Sequence, residues 1–160
     1  MPNRHRHLRL VAEPMPPTTL RLAFASTDRM TVDQHFGAST AFAIYAVDGH
    51  SAQLIEVIEF IDTVQDEYHD KLPTKIAALV DCTAVYCLAA GSSAIQRLLA
   101  AGVQPIRVEP GAPIEQLLTE FQQELNNGPS GWLARVIKAR MPADSHRFDA
   151  MAAEGWHESN

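Results

Sequence analysis

Apolar residues change their spacing several times along this chain, and each change marks an element. Leu20, Leu22 and Phe24 recur at every second position, which predicts a strand over about 20–25. Ala41 to Val47 is continuously apolar, with Phe42, Ile44 and Tyr45, and reads as a buried second strand. Asp48-Gly49 is a hairpin turn signal, so 54–60 returns as a third strand antiparallel to the second. The spacing then becomes helical. Leu72, Ile76, Leu79 and Val80 fall at i, i+4, i+7 and i+8, and Pro73 suits a first helical turn. Residues 84–88, Ala-Val-Tyr-Cys-Leu, predict a short buried fourth strand. Gly91-Ser92-Ser93 is a turn with a candidate N-cap ahead of a helix carrying Ile95, Leu98 and Leu99, which Gly102 stops. Val103, Ile106 and Val108 make a fifth strand. Pro105 lies within it and assigns it to a sheet edge. Pro113 opens a third helix with Ile114, Leu117, Leu118, Phe121 and Leu125, ending at Asn126-Asn127-Gly128.

This order predicts a three-layer α/β/α fold. A five-stranded mixed sheet, order 3-2-1-4-5 counting the expected strands along the chain, would be covered by helices on both faces. Residues 1–19 hold Pro2, Pro14, Pro16 and Pro17 with few apolar positions, and are expected to be a disordered tail. Residues 20–128 form the expected α/β domain. Residues 129–160 form a helical extension. In it Trp132, Leu133, Val136 and Ile137 mark one short helix, with Arg135, Lys138 and Arg140 on its polar side. Phe148, Met151 and Trp156 mark a second, weaker one.

Composition narrows the class. The 160 residues are 46% hydrophobic and 20% charged, as in ordinary soluble domains. A chain of this length buries roughly 70% of its unfolded surface and needs no disulfide or metal to fold. No apolar run approaches a membrane span of ~20 residues, so no membrane is expected as a partner. The basic N-terminus lacks the apolar core of a secretory signal. Cys82 and Cys87 are the only cysteines, which suits a reducing cytoplasm. The formal charge of −6 sits on the body of the chain, because residues 1–19 are net basic. An acidic body argues against nucleic acid as a partner.

In open α/β sheets, ligands bind outside the carboxyl ends of the strands, where the connections reverse direction. Here that crevice lies between the first and fourth expected strands. The loop after the first carries Ser26, Arg29 and His35. The loop after the fourth carries Gly91, Ser92 and Ser93 and opens a helix whose N–H groups favour an anion. Cys87 stands near the end of the fourth strand. Each has a plainer reading: a solvated histidine, a surface arginine, a helix cap, a small buried hydrophobe. The chain has no G-x-S-x-G, P-loop, H-E-x-x-H or complete G-x-G-x-x-G. The strand order is ribonuclease-H-like, but the expected central strands carry no carboxylates to hold paired metals.

Several segments in order carry a family likeness. They are residues 21–26, Arg-Leu-Ala-Phe-Ala-Ser; residues 32–37, Val-Asp-Gln-His-Phe-Gly; and residues 41–45, Ala-Phe-Ala-Ile-Tyr. With 84–87, the turn at 102–105, the stretch 128–135 and residues 147–152, they resemble the dinitrogenase iron–molybdenum cofactor-binding domain family over about residues 20–158. The resemblance implies a non-catalytic protein that transiently binds an iron–sulfur precursor of the nitrogenase iron–molybdenum cofactor. It implies passage of that cluster between assembly proteins, with the assembly scaffold and the cluster-synthesising enzyme as partners. His35 of His35-Phe36-Gly37 occupies the place of the histidine that serves the cluster, and is the expected metal ligand. Ser26, Arg29, Phe36, Gly37, Cys87, Gly91, Ser92 and Ser93 complete the expected site. Leu88-Ala89-Ala90 departs from relatives that carry more polar or cysteine residues there. The competing reading is a ligand-free adaptor or chaperone of the same assembly proteins. The C-terminal helices either dock on such a partner or cap the sheet's own helices.

Overall fold

A computed structural model of the chain describes residues 5–9, 19–60, 71–129 and 131–140. Strand β1 spans His5–Arg9, β2 Leu20–Ala25, β3 Thr31–Val32, β4 Ala41–Val47, β5 Ala52–Phe60, β6 Ala84–Cys87, β7 Gln104–Arg107 and β8 Ala112–Pro113. The helices are α1 (Leu72–Ala78), α2 (Ser92–Ala100), α3 (Ile114–Asn126) and α4 (Gly131–Arg140). The main sheet runs β1-β5-β4-β2-β6-β7. Strands β1, β5, β4 and β2 pair antiparallel, while β2, β6 and β7 are parallel. From Leu20 onward this is the expected order of five strands.

Strand β2 lies at the centre because helices cover both its faces. Leu22 and Phe24 face one core with β6 residue Tyr86 and helix α3; Ala23 and Ala25 face the other with Val85 and helix α2. All four are fully buried. Alternation thus sorts one short strand into two hydrophobic layers. Strand β7 forms the far edge, as Pro105 demands. Gln104 N–H donates to the Thr83 carbonyl and Val108 N–H to the Cys87 carbonyl. Proline's missing N–H therefore falls on the side without a neighbouring strand.

Two features correct the sequence reading. The expected disordered tail contains a sixth strand, β1, set against β5 with Arg6 opposite Glu59 and Arg9 opposite Glu56. A polar edge strand has no apolar alternation to reveal it. Second, β3 and β8 form a two-stranded ribbon that ties the loop after β2 to the start of α3. Gly111 N–H donates to Val32 and Ile114 N–H to Met30, each at 2.9 Å. Two-residue strands are too short to carry a period.

In the C-terminal extension, α4 packs on the domain. Leu133 is fully buried in the α3-side core, and the Trp132 ring lies 6.4 Å from Phe121. The second expected helix, with Phe148, Met151 and Trp156, lies outside the described residues.

Candidate functional site

Parallel pairing of β2 with β6 sends the chain off the sheet on the same side after both strands. The two departing loops are then laced together. Leu88 N–H donates to the Gln34 carbonyl at 3.0 Å, and Phe36 N–H donates to the Ala89 carbonyl at 2.8 Å. His35 is the residue between these two bonds. Phe36 turns inward, fully buried, with its ring 5.7 Å from Phe42. The neighbouring side chain of an extended segment points the other way, and His35 is exposed. Its backbone is fixed on both flanks while its imidazole faces solvent. The chain then turns: the Phe36 carbonyl accepts from Ser39 N–H at 3.2 Å and from the Ser39 hydroxyl at 2.6 Å.

Beside this loop, α2 begins. Gly91 is its N-cap, in extended conformation, with no side-chain cap bond. The expected cap thus falls on the glycine of Gly91-Ser92-Ser93: Ser92 and Ser93 are the first two helical residues, and both are exposed. The first N–H groups of the helix thus have no side-chain cap, and such groups favour an anion.

The loop after β2 is a self-contained polar knot. The Asp28 carboxylate accepts Met30 N–H and Thr31 N–H at 2.8 Å, the Thr31 hydroxyl at 2.9 Å and the Ser26 hydroxyl at 3.1 Å. These bonds favour the ionised form and hold its pKa down at about 2, from 3.8, with the Met30 N–H the largest cause. Asp33 accepts Thr27 N–H at 2.9 Å and the Thr27 hydroxyl. Buried Ser26 also accepts Arg29 N–H at 2.8 Å, so its hydroxyl is committed to the turn.

A depressed carboxylate stabilises the folded loop at any pH above its unfolded pKa, and that contribution fades as pH falls through about 2. Asp28→Ala is expected to speed amide exchange at Met30 and Thr31 at pH 7 while leaving the global unfolding midpoint nearly unchanged. In wild type the same protection should hold down to about pH 4 and decline progressively from there to about pH 2. Exchange measured by NMR across that range checks both.

Two of the expected site residues point elsewhere. Arg29 has a positive φ of 63° and an ion pair with Glu59 at 3.7 Å. Ile58 belongs to the core on the α1 and α2 side, so Glu59 next to it faces the α3 side. Arg29 lines an open cleft of about 720 Å³ there, with Met30, Tyr45, His50 and Glu115. Its charge is used away from His35. Cys87 is 1% exposed, and burial pushes its thiol up to about 11. A thiolate is disfavoured there, and Cys87 packs in the α2-side core.

Among the described residues no three His, Cys, Asp or Glu side chains gather as a metal site. A cargo held here would meet one imidazole and backbone N–H groups. The sequence reading missed Lys75, which lies beneath this loop. Its signal was position: Lys75 falls on the apolar stripe of α1, beside Leu72, Ile76 and Leu79. A charged residue on a buried stripe marks a committed partner.

The mixed sheet and the laced loops define an α/β domain with a candidate site at the carboxyl ends of its parallel strands. Residues 18–124 match the family model described as dinitrogenase iron-molybdenum cofactor. The chain is 54% identical over 141 residues to protein NifX of Azotobacter vinelandii, covering 88% of this chain and 89% of that one. It is 36% identical to protein NifX of Rhodobacter capsulatus, covering 82% and 88%. The crystal structure of PH0822 matches with a TM-score of 0.52 at 25% identity, over 65% of this chain and 89% of that one. The chain therefore belongs to the dinitrogenase iron–molybdenum cofactor family and is a homologue of NifX, placed by that membership in nitrogen fixation and iron–molybdenum cofactor biosynthesis.

Proposed function

We propose that the chain is a non-catalytic carrier. It holds an iron–sulfur precursor of the iron–molybdenum cofactor at His35 and passes it, in the cytoplasm, from the cluster-synthesising enzyme toward the assembly scaffold. The observation that carries this reading is the exposed His35 imidazole on a backbone fixed at both flanks by the β6 loop.

A cluster brings its own sulfides and needs few protein ligands. One imidazole suits an iron at a cluster corner. A carrier with a single ligand also releases its cargo readily, whereas four thiolates would hold it. The open start of α2 offsets negative charge on the cluster. Gly37 and Phe36 serve the site through the backbone of the His35 turn, and Ser26 through its own loop.

Anaerobic titration with the isolated iron–sulfur precursor, followed by gel filtration, tests this. Wild type should co-elute with iron saturably, and His35→Ala should lose that iron. His35→Cys should keep it, because a thiolate restores the donor atom. Equal uptake by wild type and His35→Ala would remove His35 from the site. Wild type that takes up no iron yet binds the scaffold would assign the adaptor reading.

A further inference from the structure

Below the His35 turn lies an ammonium group with a specific backbone target. Lys75 of α1 is 3% exposed, and its Nζ donates to the Gly37 carbonyl at 2.6 Å. Nζ also lies 5.9 Å from the centre of the Phe60 ring. An apolar side chain would be cheaper to bury at this position. The ammonium instead draws one particular carbonyl inward.

That bond has a geometric consequence. In a trans peptide the carbonyl and the following N–H lie in one plane and point in opposite directions. With the Gly37 carbonyl turned down to Lys75, the Ala38 N–H turns away from the buried ammonium. Ala38 is exposed, and its N–H has no partner among the described residues. Gly37 adds a second, independent observation. Its φ is not positive, and a Cβ there would meet nothing within 4 Å. The fold does not demand glycine at this position, so the missing side chain leaves the outer surface of the turn bare. Glycine serves that purpose where a ligand approaches backbone closely.

We propose that Lys75 is a positioning residue. It holds the Gly37–Ala38 peptide with its N–H outward, and that N–H donates a hydrogen bond to a sulfide or oxygen of the anionic cargo bound at His35. The cargo is thus held by one metal–imidazole bond and one peptide donor from the same turn. This inference rests on the carrier reading and deepens it.

The test uses the full chain with Lys75→Met, Lys75→Arg and Gly37→Val. The first readout is the NMR shift of the Ala38 amide and its exchange rate without cargo. The second is anaerobic uptake of iron from the isolated iron–sulfur precursor. Lys75→Met should move the Ala38 resonance and weaken uptake about tenfold, the scale of one hydrogen bond to a charged group. Lys75→Arg, which keeps a cationic donor, should restore most of the affinity. Gly37→Val leaves Lys75 intact and finds open space, so it should fold normally yet weaken uptake by covering the turn. It decides the matter should Lys75→Met fail to fold. Uptake at wild-type affinity in Lys75→Met or in Gly37→Val overturns the proposal. Wild type that takes up no iron fails the carrier reading itself, while the Ala38 shift still reports whether Lys75 holds the peptide.

Discussion

Phe36→Ala is expected to lower folding stability by about 3–5 kcal/mol, the range for deleting a fully buried phenylalanine. Domains of this kind hold only about 5–15 kcal/mol in total, so the loss is a large share. Phe36 has no exposed surface and packs in the core between the sheet and helices α1 and α2, against Phe42. Its backbone makes the bond to Ala89 that flanks His35, and its carbonyl closes the Ser39 turn. One ring therefore anchors both a core and the site. Urea unfolding should show a lower midpoint with an unchanged slope. Iron uptake per folded molecule should also fall, because a turn without its anchor no longer presents His35 and the Gly37–Ala38 peptide together. Normal uptake by the folded fraction would mean that the laced backbone alone fixes the site.

Phe24→Ala should cost a similar amount and leave uptake per folded molecule intact. Phe24 is equally buried, but on the opposite face of the sheet. Its ring stacks on Tyr86 at 4.7 Å and 15°, and meets Tyr45 edge-on at 5.6 Å and 88°. Such aromatic pairs add about 0.5–1.5 kcal/mol each beyond the area they bury, which places this variant toward the upper end of the about 3–5 kcal/mol range. Its cavity opens under α3, away from the turn that carries His35. The two variants thus share a stability loss and differ in function. Phe24→Ala that loses uptake as fully as Phe36→Ala would extend the site to the α3 side, where Arg29 lines its cleft.

The central elements were legible because burial leaves a local signature. Strands β2 and β4 occur at the bounds read from apolar spacing, since both are covered on both faces. Strand β5 begins at Ala52, two residues before the apolar run. Ala52 and Gln53 are exposed and join the strand only by pairing with Val47 and Ala46. The same reason hid β1, where backbone pairing recruits polar residues and nothing in their side chains announces it. The β3–β8 ribbon was hidden by its length, since two residues carry no period.

The candidate site divides the same way. Topology alone brought the loop after β2 to the start of α2, because a parallel pair sends both loops off the same end of the sheet. That step needed only the order of elements. Which side chains the crevice receives was decided elsewhere. Arg29 was diverted by Glu59 on β5, and Cys87 was withdrawn by the parity of a short buried strand.

Local spacing therefore determined the five strands from Leu20 onward, their order and the end of the sheet at which open α/β sheets take ligands, since each follows from periods of two or 3.6 residues and the handedness of crossovers. Tertiary structure alone joined Gln34 to Leu88, Phe36 to Ala89 and Lys75 to the Gly37 carbonyl. Those bonds link residues 38 to 54 positions apart. A hydrogen bond at such separation depends on how two distant segments pack, and no local period encodes that.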